Sequence, residues 1–114
     1  MELYYHDTDR DVLILSADGG IDSASAEALV SELATLVEAG ARKLIVDCSR
    51  IGYISSVGIA MLVRLHKKLA ERGGDVKLAA LDSRVARLIE LVGLERIFQI
   101  FSNVDEARQA FKGG

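Results

Sequence analysis

The chain has 114 residues, 50% hydrophobic and 27% charged, with a net charge of −3. That is enough for one domain around one core, and the acidic balance excludes the basic face that a phosphate-backbone binder carries, so no nucleic acid is expected as a partner. No apolar run reaches the roughly 20 residues of a membrane-spanning helix, so no membrane insertion is expected.

The start, MELYYHDTDRD, is too polar for a secretory core, and the single cysteine, Cys48, cannot close an internal disulfide. Both features point to a reducing, cytoplasmic setting. Leu3–Asp7 and Val12–Ser16 read as two short strands joined by the polar turn TDRD, with His6 on the edge strand. ADGG reads as a turn. Beyond it Ala26, Leu29, Val30, Leu33, Leu36 and Val37 recur at helical spacing, with Asp22 or Ser23 as the cap and Gly40 as the stop. Leu44–Asp47 is a continuous apolar run, as expected for a strand covered on both faces.

Next comes DCSRIGYISSVG, read as a turn carrying an aromatic. A second helix follows, with Ile59, Leu62, Val63, His66, Leu69 and Ala70 as its apolar stripe. Arg64, Lys67, Lys68 and Glu71 form its wet face, and Gly73-Gly74 ends it. VKLAALD is a strand, SRVARLIELVGL a helix capped by Asp82 or Ser83, RIFQIF a last strand and NVDEARQAF a last helix. The alternation predicts an α/β fold in one domain over residues 1–114. Its central sheet is mainly parallel, of about five strands, with an N-terminal hairpin and about four helices. Sites in such sheets gather beyond the carboxyl ends of the strands. Two segments arrive there: Gly19-Gly20-Ile21-Asp22 and Asp47–Gly58.

The chemistry hinges on Ser55 and Ser56. A nucleophilic serine needs a nearby base, and only His6 and His66 are available. His66 is ten residues beyond Ser56 on the same helix, roughly 15 Å along its axis. No G-x-S-x-G or S-x-x-K motif, phosphate loop or metal-ligand spacing is present, so no enzyme, resident cofactor or metal is expected. Cys48 reads as a small buried hydrophobe and His66 as a half-buried helix residue. Either serine can cap the helix, yet a cap uses one side-chain oxygen and leaves the other serine over. A helix start stabilises an added phosphate. A partner kinase can supply the base, metal and ATP that this chain lacks.

A strand ending in D-x-S, an aromatic in the next turn, then serines and a glycine leading a helix resembles the STAS domain of anti-sigma factor antagonists. The resemblance covers essentially the whole chain. It includes G-x-I-D at Gly19–Asp22, the helix ending in GG, VKLAALD, the R-L-x-E-L-x-G-L helix and RIFQIF. In that family the phosphorylation stretch commonly reads Asp-Ser-Ser/Thr-Gly. With the glycine on Gly58, the acceptor falls on Ser56, with Ser55 as second choice. Ser55 and Val57 then depart from the usual Asp and Ser/Thr.

The resemblance implies a partner-switching regulator. Unphosphorylated, it binds an anti-sigma factor that is also a serine kinase and so frees a sigma factor; phosphorylation releases it, and a PP2C-type phosphatase resets it. It further implies that Asp22 and Asp47 flank the acceptor, against the alternative that they only cap a helix and end a strand. Ser55, Val57, Gly58, Arg64 and Lys67 complete the expected docking surface, although a merely solvated helix face also accounts for the two cations. Two other readings fit the same pattern: an unphosphorylated STAS subunit of a lipid-transport ABC system, and a nucleotide-binding STAS domain.

Overall fold

A computed structural model describes the backbone of residues 2–9 and 12–113, and the side chains of 12–16 and 18–111. The elements run β1 (Glu2–Asp9), β2 (Val12–Ile21), α1 (Ser23–Glu38), β3 (Lys43–Asp47), β4 (Ile51–Ile54) and α2 (Ser56–Glu71). They continue with β5 (Asp75–Ala79), α3 (Ser83–Leu91), a 3-10 turn (Leu94–Arg96), β6 (Gln99–Phe101) and α4 (Val104–Gly113). The sheet order is β1-β2-β3-β5-β6. β1 is antiparallel to β2 and the other pairings are parallel, so the expected α/β architecture, hairpin and four helices are present. The TDRD turn falls partly on residues outside those described.

Side-chain alternation along each strand explains why the central strands read as unbroken apolar runs. Leu15, Leu44, Val46, Val76 and Leu78 face one layer with α1, α2 and α3. Ile14, Ile45 and Ala79 face the other, where Ala107 of α4 covers them. On that second face Lys77 is buried at 6% exposure. Its ammonium is held by Asp75 Oδ2 at 3.0 Å, by Gln99 Oε1 and by the Phe111 ring, whose centroid lies 4.4 Å away. Burial of a charged group is tolerated here because opposite charge, hydrogen bonding and an aromatic face replace water.

Several sequence expectations are corrected. β2 does not stop at Ser16 but runs to Ile21, so ADGG is strand and not turn. The aromatic turn contains a strand, β4, which pairs parallel with the end of β2: Gly19↔Ile51, Gly20↔Tyr53 and Ile21↔Ile54. On α2, Leu65 is buried and Ala70 is exposed, shifting the apolar stripe by part of a turn. RIFQIF yields only Gln99–Phe101 as strand, because Leu94–Arg96 forms a 3-10 turn that drives Phe98 into the core. Where the sequence leaves two caps open, α1 takes Asp22 over Ser23 and α3 takes Asp82 over Ser83. His66 is half-buried as expected, its Nε2 3.3 Å from Asp75 Oδ1 and its ring edge-on to Phe98.

Candidate functional site

The β2–β4 pairing builds the site. Gly19 N–H donates to Arg50 O at 3.0 Å, and Ser55 N–H donates to Ile21 O at 2.7 Å, just past the paired residues Ile21 and Ile54. The chain thus enters α1 at Asp22 and α2 at Ser55 from adjacent, hydrogen-bonded backbones. The two predicted loops converge through a strand pairing that was not foreseen.

The two serines divide their work. Ser55 has extended backbone and its Oγ accepts the Gly58 N–H at 3.0 Å, making it the N-cap of α2. Ser56 is the first helical residue and is exposed, and among the described residues its hydroxyl has no hydrogen-bond partner. With Gly58 N–H on the cap and Ile59 N–H on Ser55 O, the N–H groups of Ser56 and Val57 remain unpaired among the described residues. The first turn of α2 carries no acidic residue, so its positive dipole end is not neutralised from within.

Asp22 accepts the Ser25 N–H at 2.9 Å, while Ser25 Oγ accepts the Asp22 N–H at 2.9 Å and its hydroxyl donates to the Asp22 carboxylate at 2.7 Å. These bonds, the Ser25 N–H foremost, hold the Asp22 carboxyl below its ordinary range. Asp47 accepts from Ser49 N–H at 3.1 Å and from the Ser16 hydroxyl at 3.2 Å, which ties the end of β3 to β2. None of its hydrogen bonds reaches Ser56. Asp22 therefore stands beside the start of α2 as the cap of α1, and Asp47 organises the turn that follows β3.

Gly58 is buried in the first turn of α2 rather than in a loop. A Cβ there would stand 2.9 Å from Ile21 Cγ2 and 3.0 Å from Ile54 Cγ2. Its smallness lets the helix start lie directly on the β2–β4 pair. Ser56, Ala60, Arg64, Lys67 and Glu71 are all exposed at three- and four-residue spacing, forming one stripe along α2. Val57 is exposed beside it. Sequence reasoning passed over Tyr53, which is 55% exposed on β4. Its Cδ1 would be 2.8 Å from a Cβ at Gly20, so the ring lies over that glycine. The available signal was an aromatic paired across the ladder with a glycine.

Residues 6–107 match the family described as STAS domain. The chain belongs to the STAS domain family. Among relatives of this STAS protein, BtrV of Bordetella bronchiseptica is 35% identical over 101 residues, spanning 89% of this chain and 87% of its own. The anti-sigma-F factor antagonist RsfB of Mycobacterium tuberculosis is 32% identical over 105 residues, spanning 90% and 84%. A solved anti-sigma factor antagonist from Mycobacterium paratuberculosis superposes with a TM-score of 0.84 at 28% identity over 96% of this chain and 92% of that one. Unphosphorylated SpoIIAA shares the fold, with a TM-score of 0.86 over 99% and 98% of the two chains at 16% identity. The relatives that this chain matches at 28–35% identity are thus named as anti-sigma factor antagonists. Among the described residues no helix is long and apolar enough to cross a membrane.

Proposed function

We propose that this STAS protein is a phosphorylation-controlled antagonist that binds an anti-sigma factor with serine-kinase activity, and that Ser56 is the switch. The observation that carries the reading is the separation of roles at the helix start: Ser55 caps α2, which leaves the Ser56 hydroxyl exposed and, among the described residues, unbonded. The kinase brings ATP and a base. The γ-phosphoryl passes to Ser56 Oγ, the hydroxyl proton goes to the kinase's base, and ADP leaves. The phosphate then adds a charge of about −1.5 to −2 at the head of the α2 stripe. The unpaired N–H groups of Ser56 and Val57 accommodate it within this chain, while a partner surface packed on Tyr53 and Val57 would have to desolvate it.

In this reading the exposed stripe Ser56–Arg64–Lys67, flanked by Val57 and Asp22, is the docking face, and a PP2C-type phosphatase restores the free hydroxyl. Sigma factor is released while the unphosphorylated form occupies the anti-sigma factor, in the cytoplasm. The chain itself needs no cofactor, because the chemistry belongs to its partners. The test is a pull-down from native lysate with wild type, Ser56→Ala and Ser56→Asp as baits, read by mass spectrometry. A serine-kinase anti-sigma factor held by the first two and lost from the third is expected. Equal capture by all three would overturn the switch.

A further inference from the structure

β6 is the outer strand of the sheet on the side away from β1, and it is three residues long. Phe101 O accepts the Ala80 N–H at 3.0 Å, so Phe101 turns its backbone groups inward towards β5. Strand alternation then turns Gln99 inward as well and leaves Ile100 as the one residue of β6 whose N–H and C=O point off the free edge. Such an edge is ordinarily blunted by lysine, proline, a covering segment or, as here, the shortness of the strand, which limits pairing to a single outward residue. Here the chain has no proline, and β6 reads Gln-Ile-Phe.

The side chains beside this edge are also uncovered. Ile100 pairs with Leu78, so it shares Leu78's face of the sheet, the face that carries α3. It lines a groove with Leu91, the last residue of α3, which is 75% exposed. Val92 and Ile97, in the segment between α3 and β6, are exposed as well. The exposed charges around it are balanced in sign: Arg87 and Arg96 against Glu90 and Glu95. Arg87 and Glu90 lie one turn apart on α3. A two-fold axis that sets two α3 helices antiparallel brings each Arg87 to the other copy's Glu90. A patch of balanced charge with opposite signs one turn apart is complementary to itself.

We infer that the occupant of this face is a second copy of the chain. The two β6 strands pair antiparallel about an axis beside Ile100, which exchanges its N–H and C=O bonds with its own counterpart and joins the two sheets. Leu91 and Ile100 of the two copies close over the junction. This face is set by β6 and the end of α3, whereas Ser56 follows β4, which pairs with β2 and meets α3 at Arg84 near that helix's start, so the inference rests on residues distinct from those of the proposed switch.

Sedimentation equilibrium of the full chain from micromolar to millimolar concentration tests it. A reversible dimer is expected, and Leu91→Glu and Ile100→Lys should each weaken it by roughly tenfold or more, as for loss of a central interface anchor. Arg87→Glu and Glu90→Arg should each weaken it, and the double variant should recover most of the loss. Leu91 is largely solvated, so its variant keeps the fold (checked by circular dichroism), and Ser56→Asp should dimerise like wild type. A wild type that stays monomeric throughout, or a dimer indifferent to Leu91, Ile100 and the charge swaps, would overturn the inference.

Discussion

The Ser55 Oγ accepts the Gly58 N–H at 3.0 Å, while Ser56, one residue on, has a hydroxyl with no partner among the described residues. Two adjacent serines therefore contribute to different quantities. Ser55→Ala removes an N-cap and should cost about 1 kcal/mol of stability. Ser56→Ala should stay within about 0.5 kcal/mol of wild type, as for an exposed site with no special contact. Urea midpoints of the two variants check this. A Ser56→Ala loss as large as that of Ser55→Ala would mean that the second hydroxyl is structural after all.

Gly58 couples the helix start to the β2–β4 pair. The Cβ of an alanine there would crowd Ile21 and Ile54, both buried, at 2.9 and 3.0 Å. Overpacking of that kind costs roughly 1–3 kcal/mol, against at most about 1 kcal/mol gained from replacing glycine in a helix. Crowding wins because neither isoleucine can move into solvent. Gly58→Ala should lower the thermal midpoint, and an unchanged or raised midpoint would show that the core yields more readily than these distances imply.

The same residues show what can be read from a sequence. Capping chemistry is local: a small polar residue and a helical stripe lie within a few positions, so the starts of α1, α2 and α3 are legible to within one residue, and the structure settles them on Asp22, Ser55 and Asp82. β4 was not. Its four residues, IGYI, are too short and too interrupted by glycine to show a period, and it exists because it pairs with Gly19–Ile21, about thirty positions earlier, in a stretch that itself looks like a turn. The α2 stripe was read on an axis including Ala70; burial of Leu65 is decided by the sheet beneath it. RIFQIF reads as one strand in the sequence, but the left-handed Gly93 (φ 77°) starts a 3-10 turn that redirects the chain before Phe98.

Tyr53 offers the next test. Its ring rests on Gly20 and is more than half exposed, so its apolar surface contributes little to the folded chain and is available to a partner. Tyr53→Ala should leave the urea midpoint nearly unchanged and weaken binding of the partner captured by Ser56→Ala about tenfold, the scale for truncating an aromatic anchor. Gly20→Ala should act in the same direction by displacing the ring. Calorimetric titration reads both. Undiminished affinity in Tyr53→Ala would remove β4 from the docking face.

Cys48 is buried at the end of β3, its thiol donating weakly to Val46 O at 3.5 Å. Burial, then the neighbouring Asp47 charge, push the thiol up to about 12. The reactive thiolate is therefore scarce at neutral pH, and the sulfur is shielded besides. A thiol reagent at pH 8 should label the native chain far more slowly than a free thiol and should label it fully once urea unfolds it. Rapid labelling of the native protein would mean that the β3–β4 turn opens readily.

Three solvent-accessible carboxylates among the described residues contribute to the response to acid. Asp22 is held below its ordinary value by the Ser25 N–H and hydroxyl, Asp82 by the N–H groups of Val85 and Arg84, and Glu38 by the Arg72 guanidinium at 2.8 Å. Because each folded value lies below the unfolded one, the unfolded chain takes up the proton first as pH falls. Their stabilisation is complete above the unfolded carboxylate value of roughly 4 and is lost as pH drops through the lower folded values. Asparagine keeps the capping oxygen and cannot titrate. The double variant Asp22→Asn, Asp82→Asn should therefore lose less of its urea midpoint than wild type on going from neutral pH to about pH 3. Equal losses in the two proteins would place the acid sensitivity of this fold elsewhere than at the caps of α1 and α3.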